Sequence, residues 1–101
     1  MYRGTTPTVQ ININSGEDLT LYKSIYVTFK QMPSVLIEKT KEEIEVNSDS
    51  IVVHLSQEDT LKFNPGTVMI QLRAVDDNGI AIASDIVTIQ AERILKEGVI
   101  E

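Results

Sequence analysis

Three small groups of side chains in this sequence are of the types that chemistry requires. Asp76, Asp77 and Asn78 stand beside Gly79 and set oxygen donors against a glycine, as the start of a calcium-binding loop does. Such a loop needs ligands at regular spacing and a closing glutamate. These acids are adjacent and run directly into Ile80-Ala81-Ile82, so the tetrapeptide reads as a solvated turn. His54 is the one imidazole in the chain and would act as a base or metal ligand if a second histidine or a serine partner accompanied it. Its neighbours Ile51, Val52, Val53 and Leu55 give it the setting of a surface or inter-strand histidine. Glu42, Glu43 and Glu45 would offer the paired carboxylates of glycoside cleavage, because Glu43 and Glu45 fall on one side of a strand. With no tryptophan, three tyrosines and two phenylalanines, no aromatic platform for a sugar accompanies them, and they read as a charged, solvated face.

Composition narrows the classes further. The absence of cysteine rules out disulfides and thiolate metal sites, and a single histidine cannot build an imidazole cluster, which excludes zinc. Fifteen acids against nine bases give a net charge of −6 with no basic cluster, so no nucleic-acid partner is expected. Five singly placed glycines form no phosphate-cradling loop. We therefore assign no catalytic, cofactor-binding or metal-binding residue, and the chain reads as non-enzymatic. No apolar run reaches the length of a bilayer span, and none of signal-peptide length follows Met1-Tyr2-Arg3-Gly4-Thr5, so cytoplasmic synthesis without membrane contact is the expectation. A particle assembled in the cytoplasm and released by lysis would need no export signal either.

What the chain does specify is extended backbone. At 101 residues and 42% hydrophobic it forms one domain with one modest core. Val68, Ile70, Leu72 and Ala74 alternate with Thr67, Met69, Gln71 and Arg73, the mark of a half-buried strand. Asn78-Gly79 predicts a tight primed turn pairing residues 68–75 with a second strand over 80–89. The same alternation predicts strands over residues 7–14, 24–30, 35–37, 43–46 and 51–55, the fourth of them an edge protected by its glutamates. Met32-Pro33 separates the second from the third. Ser56-Gln57-Glu58-Asp59 matches a helix-capping box and predicts one helical turn, ending near Leu61 or Phe63, that bridges two sheets. Tyr22, Tyr26, Phe29 and Phe63 belong to the core and its rim. Residues 91–101 lose the two-residue period and read as a strand extension or a docking helical turn. About seven short strands at this spacing predict an all-β antiparallel sandwich. Residues 1–6 and 95–101 are then arms, flexible or docked on a partner.

The segments Tyr2-Arg3-Gly4-Thr5-Thr6-Pro7-Thr8, Leu55-Ser56-Gln57-Glu58-Asp59-Thr60-Leu61 and Gly66-Thr67-Val68 with Ile70-Gln71 resemble small proteins encoded in tail regions of Gram-positive phages and prophages. The strand layout resembles the immunoglobulin-like N-terminal domain of phage baseplate upper proteins, from which the chain departs in ending without a long receptor-directed segment. The resemblance implies an immunoglobulin-like sandwich serving as a structural or assembly module of a phage tail or baseplate. Its partners would be other tail or baseplate proteins, or a second copy in a homo-oligomer, and no cofactor is implied. The alternative is a surface-binding module whose loops recognise a host glycan or host protein, by analogy with other sandwiches.

Overall fold

The computed structural model describes residues 1–13 and 16–101. Among these residues eight strands lie in two antiparallel sheets. They are β1 (Thr8–Asn12), β2 (Ser24–Gln31), β3 (Val35–Thr40), β4 (Glu45–Val46), β5 (Ser50–His54), β6 (Gly66–Val75), β7 (Ala81–Ala83) and β8 (Val87–Ala91). One sheet has three strands in the order β1-β5-β4. The other runs β3-β2-β6, with β7 and β8 both pairing the far side of β6. A short helix, α1 (Gln57–Leu61), crosses between them from β5 to β6.

The alternating residues meet where the period demands. Val68, Ile70, Leu72 and Ala74 of β6 are buried together with Ile25, Val27 and Phe29 of β2, and Ile11, Ile51 and Val53 close the same core from the smaller sheet. Tyr22 and Phe63 are buried as expected, whereas Tyr26 projects outward and is exposed. The capping box forms as predicted. The Ser56 hydroxyl accepts from the Asp59 amide at 3.1 Å, and the Asp59 carboxylate accepts from the Ser56 amide at 3.0 Å.

Several elements differ from the sequence expectation. The third strand is longer than residues 35–37, because Glu38, Lys39 and Thr40 keep the register with Thr28, Val27 and Tyr26. The fourth shrinks to Glu45–Val46 because Glu43 lies in a 3-10 turn over Lys41–Glu43, where its carboxylate accepts from the Thr40 amide and hydroxyl. Glu43 and Glu45 therefore do not share a strand face. The first strand ends at Asn12; Asn14 and Ser15 lie outside the described residues.

The hairpin turn is not primed. Among the described residues none other than glycine has a positive φ, so Asn78 stays in the ordinary region and, in this turn, Gly79 at +80° is the left-handed residue. The Gly79 amide donates to the Asp76 carbonyl and the Asp76 amide to the Ile80 carbonyl, which makes a three-residue loop with glycine in its left-handed position. The Asp76 carboxylate stabilises it by accepting from the Asn78 and Ile80 amides, both at 2.9 Å.

The returning strand is two strands, which raises the count from seven to eight. Arg73 pairs with Ala83 but Ile70 pairs with Val87, so Ser84-Asp85-Ile86 contain one residue more than β6 matches, a β-bulge. Uninterrupted alternation would put Ile82 and Ile89 on opposite faces; the bulge lets both pack on the core. Ser84 repairs the broken ladder. Its hydroxyl accepts from the Leu72 amide at 3.0 Å, and its own amide donates to the Leu72 carbonyl at 2.9 Å.

Both terminal segments touch the rest of the chain. Tyr2 bridges Glu92 in parallel, and the Met1 amino group donates to the Gln90 carbonyl at 2.9 Å. The Thr60 hydroxyl donates to the Thr5 carbonyl at 2.9 Å. Gln57 holds Ile100 by both amide atoms, accepting from its N–H at 2.9 Å and donating to its carbonyl at 3.0 Å. Gln31 grips Asn64 in the same way. Past Glu92 the described chain forms neither helix nor strand.

Candidate functional site

Of the residues singled out for chemistry, His54 acquires partners. It pairs across the small sheet with Thr8, and its neighbour strand β4 brings Glu45 alongside. The imidazole Nε2 lies 2.8 Å from Glu45 Oε2, and Nδ1 lies 3.1 Å from Thr8 Oγ1. With Nε2–H donating to the carboxylate, Nδ1 accepts from the threonine hydroxyl. Hydroxyl, imidazole and carboxylate are thus linked in the order of a hydrolytic triad. Their surroundings differ from one: the side chains of His54 and Glu45 are 61% and 65% exposed on a flat strand face, where water competes for both hydrogen bonds. The other two groups stay apart from it. Glu43 caps a turn and Asp76 braces the hairpin, and among the described residues no three His, Cys, Asp or Glu side chains converge as a metal would require.

A buried ion pair joins the helix to the large sheet. Lys39 on β3 lies 2.9 Å from Asp59 on α1, and both side chains are largely covered. Burial pushes the Asp59 carboxyl up, but the Ser56 amide and the Lys39 ammonium outweigh it and hold the group below the usual carboxylate range. At the surface Glu43 is lowered by the Thr40 amide and hydroxyl, and Asp18 by the Thr20 hydroxyl and amide. A carboxyl depressed in the folded state adds stability that is complete above its unfolded value, near pH 4, and is lost as pH falls through the lower folded value. Asp59→Asn is expected to cost roughly 1–3 kcal/mol at pH 7, leaving Lys39 short of its partner, and the gap from wild type should begin to narrow below about pH 4 and close as pH falls through the lower folded value. Urea unfolding of both proteins at pH 7 and in steps below pH 4 measures this; a gap that does not narrow as pH falls would assign the effect to packing alone.

The outer face of the five-stranded sheet carries open hollows. The side of β2 opposite the core presents Tyr26, Thr28 and Lys30, and register sets them beside Arg73, Gln71 and Met69 of β6. Two open hollows adjoin there and share Thr28 and Arg73. One, of about 350 Å³, is lined by Tyr26, Glu38, Val75 and Ala81; the other, of about 310 Å³, by Lys30, Met69, Gln71 and Ile86. Ile86, which lines the second hollow, belongs to the bulge and is exposed. Exposed Tyr26, Leu36 and Ile86 make this face amphipathic, whereas the small sheet presents Thr8, Gln10, Asn12, Glu45 and His54, polar apart from Val52.

Among the described residues no helix is long and apolar enough to cross a membrane. Comparison with protein-family models, with curated proteins and with solved structures gives no match.

Proposed function

We propose that this chain is a non-enzymatic protein-contact module of a phage or prophage tail or baseplate, and that the outer face of its five-stranded sheet receives a neighbouring tail protein. The observation that carries the reading is the contrast between the two outer faces. Tyr, Met and Arg are enriched where proteins bind one another, and Tyr26, Met69 and Arg73 stand together on one sheet while the other sheet presents polar side chains. The three sequence segments that resemble tail-region proteins direct the choice of partner.

The proposed fold within the sandwich class is immunoglobulin-like. In that arrangement strands B, E and D lie on one sheet and C′, C, F and G on the other. The observed orders β1-β5-β4 and β3-β2-β6 with β7 and β8 fit it, with α1 at the crossing from E to F. Phe29 on β2 then occupies the part of the core where an antibody domain carries its strand C tryptophan.

The test is retention of purified tail proteins, and of induced particles, on the immobilised full chain. Tyr26→Ala with Arg73→Glu should weaken retention by about 30-fold, the effect of losing one interface anchor, without changing the melting temperature. Equal retention by the folded double variant would overturn the proposal. Binding confined to host glycans or host surface proteins would replace it with the recognition reading.

A further inference from the structure

Sheet edges present unpaired backbone groups, and proteins blunt them with charge, proline, bulges, short length or a covering segment. Three of the edges here are treated so. The outer edge of β4 is two residues long, β3 carries Glu38 and Lys39, and the end of β8 is covered by Met1–Arg3 through the Tyr2–Glu92 bridge. The fourth is bare. From Thr8 to Asn12, β1 reads Thr-Val-Gln-Ile-Asn, with no charge, no proline and no bulge, and among the described residues nothing pairs with its outer side.

The hydrogen-bond phase shows which groups are free. Leu55 donates to the Pro7 carbonyl and Ile13 to the Asp49 carbonyl, so the odd-numbered residues of this strand bond toward β5. By antiparallel alternation the N–H and C=O groups of Thr8, Gln10 and Asn12 point away from it.

We infer that β1 pairs with β1 of a second copy of this chain, antiparallel about a two-fold axis at Gln10. The edge is nearly its own complement. Gln10 meets Gln10, Thr8 meets Asn12, and the outward residues of these three pairs exchange about six backbone hydrogen bonds. Their uncharged side chains line one face, and Val9 lies across from Ile11 on the other. Two chains of charge −6 thus meet on a strand where no like charges oppose each other. A cavity of about 310 Å³ opens beside this edge, between Ile11 and Ile13 of the small sheet and Val87 past the bulge, and the apolar side of the partner strand lies against it. The two small sheets become one continuous sheet. This surface is separate from the outer face of the large sheet and does not depend on what binds there.

Sedimentation equilibrium of the full chain over a concentration series should show a monomer–dimer equilibrium. Gln10→Lys sets two ammonium groups face to face at the axis while leaving an exposed position of the monomer intact, so it should weaken dimerisation at least tenfold with no change in melting temperature. Gln10→Cys in this cysteine-free chain should oxidise to a covalent dimer, because directly opposed strand residues lie within disulfide reach. Asp77→Cys at the hairpin tip serves as the control and should not cross-link. A monomer at every concentration, a dimer unaffected by Gln10→Lys, or equal cross-linking of both cysteine variants would overturn the inference.

Discussion

Phe29→Ala is expected to lower the unfolding free energy by about 3–5 kcal/mol, enough to leave a domain of ordinary stability largely unfolded in mild urea. The magnitude follows from position. Phe29 is 0% exposed, sits on the central strand β2, and is flanked in register by Ile37 of β3 and Ile70 of β6. It faces a layer to which the small sheet contributes Ile11, Ile51 and Val53. Strands held on both sides cannot close over the missing ring, so the lost transfer energy and the cavity add. Ile37 lies on the edge strand β3 and can relax toward solvent, so Ile37→Val should cost only about 0.5–1.5 kcal/mol. Urea denaturation of the three proteins orders these effects. A loss below about 2 kcal/mol for Phe29→Ala would mean that the two layers adapt to the void and that the ring does not organise the core.

The strands were legible because a half-buried strand writes its period into side-chain polarity. In residues 67–74 the two faces alternate without interruption, and Val68, Ile70, Leu72 and Ala74 are all buried. The cap at Ser56 was legible for a similar reason, since hydroxyl and carboxylate three residues apart satisfy backbone groups locally. The bulge was not. Over Ile80–Ile89 either phase of the alternation collects apolar residues, so the slip at Ser84 depends on pairing with β6 and on a hydroxyl that takes the Leu72 amide. The turn at Asn78-Gly79 misled because a neighbouring Asp76 carboxylate stabilises a different loop with the same glycine. The contact face was legible only in parts. Met69 and Arg73 were visible as the outward side of one strand, but joining them to Tyr26 and Ile86 needs the strand order, which periodicity does not carry.

Arg3, in the segment that the sequence alone marks as an arm, is held against the body of the chain. Its guanidinium is 13% exposed and donates to the Leu61 carbonyl at 3.1 Å and to the Phe63 carbonyl, and it forms an ion pair with Glu97 at 2.9 Å. Leu61 ends α1, where carbonyls lack intrahelical partners, so one side chain satisfies the helix end and the loop after it. Gly4, at φ +72° with Ile94 and Leu61 beside it, lets the chain turn away immediately afterward. Arg3→Ala leaves two partly buried carbonyls without their charged donor and should cost about 2–4 kcal/mol. Glu97→Ala should cost less than about 1 kcal/mol, because that carboxylate is mostly solvated. Arg3→Lys should fall between them, since a single ammonium cannot reproduce a planar fork spanning two carbonyls. Thermal unfolding of the three variants ranks them, and amide exchange of residues following α1 locates the loss. An Arg3→Ala no more damaging than Glu97→Ala would show that the clamp is an exposed ion pair and that the helix end is held by the backbone alone.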